Sequence, residues 1–177
     1  MELFDTFAAP DCRRHQLVLR MMRHEARTST IAAWTGLSEN QVRTLVQQHA
    51  HPSTQGGPTR HCGQPPGQLS YFFRTVRRVT EATTLGCLYE MLSVIPMKVV
   101  GLSPQSFPSI GRGELLCEAF EIYRAMVASP VIPFEHAVLL ATALASGEGI
   151  SLQECPQRNA RILVDHFGEP QEWCTHC

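Results

Sequence analysis

Apolar residues recur at intervals of three and four along most of this chain, and the pattern switches off twice. Leu17, Met21 and Met22 fall on one face of a helix over 13–27. A second helical stretch covers 31–48. Over 51–68 the periodicity stops, and Pro52, Pro58, Pro65 and Pro66 alternate with four glycines. This is a loop or linker, long enough that it is expected either to be mobile or to meet a partner. The spacing then predicts one long helix over 69–93. Leu69, Phe72, Phe73, Val76, Val79 and Thr80 form its stripe, and Leu85, Leu88, Tyr89 and Leu92 continue it. A second Pro/Gly loop spans 101–113. Leu116, Phe120, Tyr123 and Val127 predict a helix over 114–127, which Pro130 and Pro133 break. A short helix over 134–145 follows and ends at Gly147 and Gly149. Strand-like alternation shows only at 160–164. No internal repeat is visible. The expected fold is mostly α: a helical domain over 1–150, then a small cysteine-bearing region over 151–177 of zinc-knuckle or ribbon type.

The sharpest local pattern is TIAAWTGLSENQVRTLVQQH, over 30–49. Ala32 is small enough to let two helices approach closely, and Gly36 supplies the backbone freedom of a tight turn. Val42 and Leu45 face inward on the second helix. Ser38 and Gln41 have the spacing of a capping box, in which each side chain binds the other's backbone N–H. The outer face would carry Glu39, Asn40, Gln41, Arg43, Thr44 and Gln47. Asn and Gln can read adenine and Arg can read guanine. The pattern fits a helix-turn-helix at DNA, and it fits plain helix packing as well.

Charge adds to this picture. The chain has a net charge of −1, but the halves differ. Residues 1–80 carry ten basic residues, all arginine, against five acids; residues 81–177 carry five against eleven. A basic first half points to an acidic partner there. Arg13, Arg14, Arg20, Arg23 and Arg27 are candidate phosphate contacts, and Arg74, Arg77 and Arg78 form a second basic cluster. Solvated helix faces would give the same composition. No basic leader precedes an apolar run at the start, and no uninterrupted apolar stretch of about 18 residues occurs, so a cytoplasmic protein without membrane contact is expected.

Seven cysteines without a secretory leader argue against a disulfide framework. Cys12, Cys87 and Cys117 sit singly in apolar or amphipathic segments and read as small buried residues. Cys174 and Cys177 form a C-x-x-C pair, whose two thiolates can take adjacent corners of a zinc tetrahedron. Cys155 supplies a third ligand and His166 is the best intrachain fourth. Cys62 or a partner's residue is an alternative, and so is a metal-free set of thiols. His49, His51, His61 and Cys62 form a further, weaker metal candidate. No nucleophile elbow, H-E-x-x-H, P-loop or dinucleotide fingerprint is present, so an enzyme is not expected and no small-molecule substrate is implied.

Taken in order, SENQVRTLVQQH, GQLSYFFRTVRRVTEATTLGCLYEML, ELLCEAFEIYRAM, LLATALASGEGISLQEC and the terminal WCTHC resemble the FlhC family of bacterial transcriptional activators. The resemblance covers residues 15–177 and is diffuse outside the cysteine region. It implies a hetero-oligomer with a smaller helical FlhD-like subunit, which binds promoter DNA and recruits RNA polymerase. It also implies one structural Zn2+ per chain held by two C-x-x-C pairs. Cys155 matches the first cysteine of the first pair, and Cys174 and Cys177 match the second pair. Arg158 stands where the remaining cysteine would be and cannot ligate. A helical adaptor that does not read DNA is the alternative. Flagellar operons and conjugative-transfer genes fit the resemblance equally as targets.

Overall fold

Among the described residues, six α-helices, a short 3-10 turn and one β-hairpin share a single apolar core. The computed structural model describes residues 5–49, 66–95, 107–155 and 160–168. Residues 51–65 and 101–106 of the two expected loops lie outside those residues, as do His51, His61, Cys62, Cys174 and Cys177.

Helix α1 (Asp5–Arg23) buries Leu17, Val18 and Met21. It ends where Glu25 turns left-handed at φ 60. The Ala26 N–H then binds the Met21 carbonyl at 3.1 Å, and the Glu25 N–H binds that of Met22 at 3.0 Å. Helix α2 (Thr28–Thr35) stops at Gly36, whose φ of 71 suits a residue without Cβ. Helix α3 (Glu39–His49) starts with the expected reciprocal cap. Ser38 N–H donates to Gln41 Oε1 at 2.9 Å and Gln41 N–H donates to Ser38 Oγ at 3.3 Å.

The long helix expected over 69–93 is two elements. Leu69–Phe73 is a 3-10 turn, and α4 runs Val76–Met91. Thr75 is extended and its side chain accepts from the Arg78 N–H, capping α4. Residues on the two sides of this break do not share one face: Phe72 is fully buried while Val76 is 59 % exposed. Helix α5 (Ile110–Met126) starts four residues before the expected point because Ser109 caps it, accepting from the Arg112 N–H. Gly111 and Gly113 therefore lie inside a helix and do not end a loop. A Cβ at Gly113 would sit 2.8 Å from Leu17 Cδ2, so this glycine lets α1 and α5 pack closely. Helix α6 (Phe134–Ser146) ends at Gly147, left-handed at φ 70.

Strands β1 (Ile150–Glu154) and β2 (Arg161–Asp165) pair antiparallel, with Ile150 opposite Asp165 and Glu154 opposite Arg161. Strand β1 was not visible as a separate strand in the sequence pattern. The boundary expected between 150 and 151 cuts β1, and Ile150 and Leu163 belong to the same core as the helices. The hairpin leans on α4, where the Leu163 N–H donates to Thr83 Oγ1 at 3.1 Å and Arg161 forms an ion pair with Glu90.

One buried carboxylate ties α4, α5 and the 128–132 segment together. Glu81 is 4 % exposed and accepts from Tyr123 Oη, from the Val131 N–H at 2.8 Å and from Arg77 Nε at 2.8 Å. Burial pushes its carboxyl up, but these hydrogen bonds outweigh burial and hold it below its ordinary value. Burial, reinforced by the bond to Glu81, raises the Tyr123 phenol. No described helix is long and apolar enough to cross a membrane.

Candidate nucleic-acid interface and cysteine region

Helix α3 buries one residue, Val42, and shows the rest of its length to solvent or half-buries it. Leu45 and Val46 are half-buried against the core, so the helix is held along a narrow seam. Asn40, Gln41, Arg43, Thr44 and Gln47 are all exposed. The sequence pattern therefore placed the outer face correctly. Several of these groups already have partners within the helix. Arg43 pairs with Glu39 at 2.7 Å and reaches Asn40 Oδ1 at 3.2 Å. Thr44 Oγ1 donates to the Asn40 carbonyl, and the Gln41 carbonyl oxygen is engaged in the cap. Among the described residues, Gln47 has no side-chain partner. Glu39 offsets the charge of Arg43, so the face is close to neutral.

The arginines expected to meet phosphates are mostly committed elsewhere. Arg13 binds Glu114, with Nε to Oε1 at 3.1 Å, and Arg20 binds Glu121 through two bonds at 2.8 and 2.6 Å. Both pairs join α1 to α5. Arg14 and Arg27 are not free either. The cluster expected at 74–78 is also tied down. Arg77 holds Glu81 and the carbonyls of Ala128 and Ser129, Arg78 stacks 4.2 Å over the Tyr71 ring, and Arg74 donates to Gln68. Arg74 precedes α4, so the three do not share one helix.

Arg23 and Arg124 keep exposed side chains without a hydrogen-bonded or charged partner among the described residues. Both line a cleft of about 330 Å³ floored by Phe120, Ile132 and Phe134. Arg124 was missed in the sequence because it lies on the acidic second half. Its proximity to Arg23 follows from α1 packing on α5. His24 lines the same cleft and is stacked on Phe134 at 5.2 Å between ring centres. Burial lowers its pKa despite the nearby Glu121 carboxylate, and Arg124 and Arg20 lower it further.

Of the four expected zinc ligands, Cys155 and His166 are described. Cys155 is 4 % exposed and closes the hairpin turn, its N–H donating to the Ala160 carbonyl at 2.7 Å. A buried thiol at the turn of a hairpin suits a knuckle ligand. His166 does not suit the same ion. Its N–H pairs with the Gly149 carbonyl at the opposite end of the hairpin, and its ring meets Ser151 Oγ at 2.8 Å. Six residues of extended strand separate the two pairings, about 20 Å at the usual rise per residue. Ligands of one tetrahedral zinc lie within about 4 Å of each other. His166 is therefore corrected out of the set. Among the described residues no three His, Cys, Asp or Glu side chains converge on a common metal position.

Compared with known proteins, the chain matches no family model, and no curated protein matches it in sequence.

Proposed function

We propose that this chain is a DNA-binding subunit of a cytoplasmic transcriptional activator. It acts with an FlhD-like helical partner at promoters and recruits RNA polymerase. The observation that carries this reading is the exposed row Asn40, Arg43, Thr44 and Gln47 on α3, on a helix anchored through Val42 and entered through a glycine turn. Such a helix can enter a major groove with its polar groups free to exchange internal partners for base edges. Arg43 would leave Glu39 and Asn40 to reach a guanine. Arg23 and Arg124 are the better candidates for backbone contacts, since Arg13 and Arg20 hold α1 to α5. One structural zinc on Cys155, Cys174 and Cys177, with a fourth ligand other than His166, would fasten residues 169–177 to the hairpin. No catalytic role is assigned to any residue.

The test is crosslinking of the tagged chain in its native cell, followed by mapping of the recovered DNA. Sharp peaks upstream of a few operons, lost on combined Arg43→Ala and Gln47→Ala substitution, would support the reading. A flat background would remove it. The second reading, an adaptor without DNA contact, is favoured by the near-neutral α3 face and the committed arginines. Salt separates them, because DNA affinity falls steeply with salt as counterions are released.

A further inference from the structure

His15 stands on α1 and His49 is the last residue of α3, 34 positions later, yet their Nε2 atoms lie 2.9 Å apart. The ring centres are 5.0 Å apart and the rings are inclined by 53°. The two imidazoles therefore meet tip to tip through Nε2 and do not stack. We propose that this pair is a binding site for a divalent late transition ion that staples α3 to α1.

The argument is geometric first. A metal–imidazole bond is about 2.0–2.1 Å. Two such bonds at 90–109° place their nitrogens about 2.9–3.3 Å apart. The observed separation is that of a hydrogen bond and lies at the near end of that range. To take up an ion the two surface rings would turn from their tip-to-tip contact until both Nε2 lone pairs converge on it. The pair lies at the surface, which leaves the remaining coordination positions to water. Imidazole is a borderline-soft ligand suited to Zn2+, Ni2+ and Cu2+ and poorly suited to Mg2+ or Ca2+.

Proton bookkeeping is simple. In the ion-free pair one Nε2 carries the proton and the other accepts it. An ion needs both Nε2 lone pairs. The donor ring releases its Nε2 proton and takes one up at Nδ1 through solvent, so the change of tautomer frees both Nε2 atoms without net loss of a proton.

The consequence for the fold is local. Helix α3 is held along a narrow seam around Val42, and its C-terminal end meets α1 through this pair. An ion there would fix the angle of α3. If α3 reads DNA, the ion would also bear on DNA affinity, but the metal site does not depend on that reading.

The test uses the full chain as purified and Ni2+ as the probe. Calorimetric titration should show a Ni2+ site that is weakened at least tenfold in His15→Gln and in His49→Gln. Circular dichroism and ion-free melting of both variants should match the parent, and Mg2+ should give no heat. The Cys174→Ser variant should retain the Ni2+ site. Affinity unchanged within twofold in both histidine variants would overturn the proposal. So would loss of Ni2+ binding in Cys174→Ser alone, which would place the ion on thiolates.

Discussion

His24 Nε2 lies 2.9 Å from Oε1 of Glu121, the carboxylate that Arg20 grips through two further bonds. Arg20 on α1, His24 just past its end and Glu121 on α5 thus meet at one carboxylate. The bond from Arg20 and then that from His24 prevail over burial and hold the Glu121 carboxyl at about 2. Burial keeps His24 below its ordinary 6.5, and burial followed by Arg78, Arg27 and Arg74 does the same for His136.

These shifts fix a pH dependence. A group with a depressed folded pKa binds fewer protons folded than unfolded, so it stabilises above its unfolded pKa and that contribution is lost as pH falls. The two histidines should begin to cost stability below pH 6.5, and Glu121 should add to this below its ordinary 4.5. Melting temperature should be flat from pH 8 to 7 and then fall in two stages. His24→Phe should blunt the first stage. A melting temperature that rises between pH 7 and 5 would contradict this account.

The docking of the hairpin rests on a missing side chain. A Cβ at Gly86 on α4 would lie 3.0 Å from Leu152 Cδ1 and 3.3 Å from Leu144 Cδ1. Gly86→Val overfills that contact and should cost about 1–3 kcal/mol. Amide exchange at Leu163 should accelerate more than at Tyr123 if the hairpin is what gives way. Equal acceleration at both would mean that the hairpin and helices open together.

Zinc content separates the cysteines from the histidine. Cys155→Ser and Cys174→Ser should each lower the bound zinc and the melting temperature, because structural zinc contributes directly to folding. His166→Ala should leave both unchanged, since its ring faces Ser151 at the far end of the hairpin. A zinc-free parent protein would defeat the metal reading, and zinc loss in His166→Ala would restore that residue as a ligand.

The helix near Phe120 was legible because burial there is one-sided and leaves a clear period. The one near Leu140 has no exposed residue and was legible from the prolines and glycines that bound it. The break at Thr75 was not, because Phe72, Phe73 and Val76 keep helical spacing across it. The cap itself was the available signal, a threonine followed by the α4 run. Gly111 and Gly113 read as loop residues because a sequence shows glycine's flexibility and not Leu17 pressed against it. Strand β1 is five residues long and reads as a strand only beside its partner. At the candidate interface, the exposed row on α3 was visible from period alone. The loss of Arg13 and Arg20 was not, because each meets a glutamate 101 positions away. Likewise, the distance between Cys155 and His166 depends on strand register, which spacing does not reveal.

The bond from Leu163 to Thr83 spans 80 residues of chain. The ribosome makes α4 first, and at about 5–20 residues per second the strand that covers it follows several seconds later. During that interval Gly86 and its apolar neighbours have no lid. The nascent protein thus passes through a period in which its central helix can be claimed by a chaperone or by another chain before its own hairpin arrives.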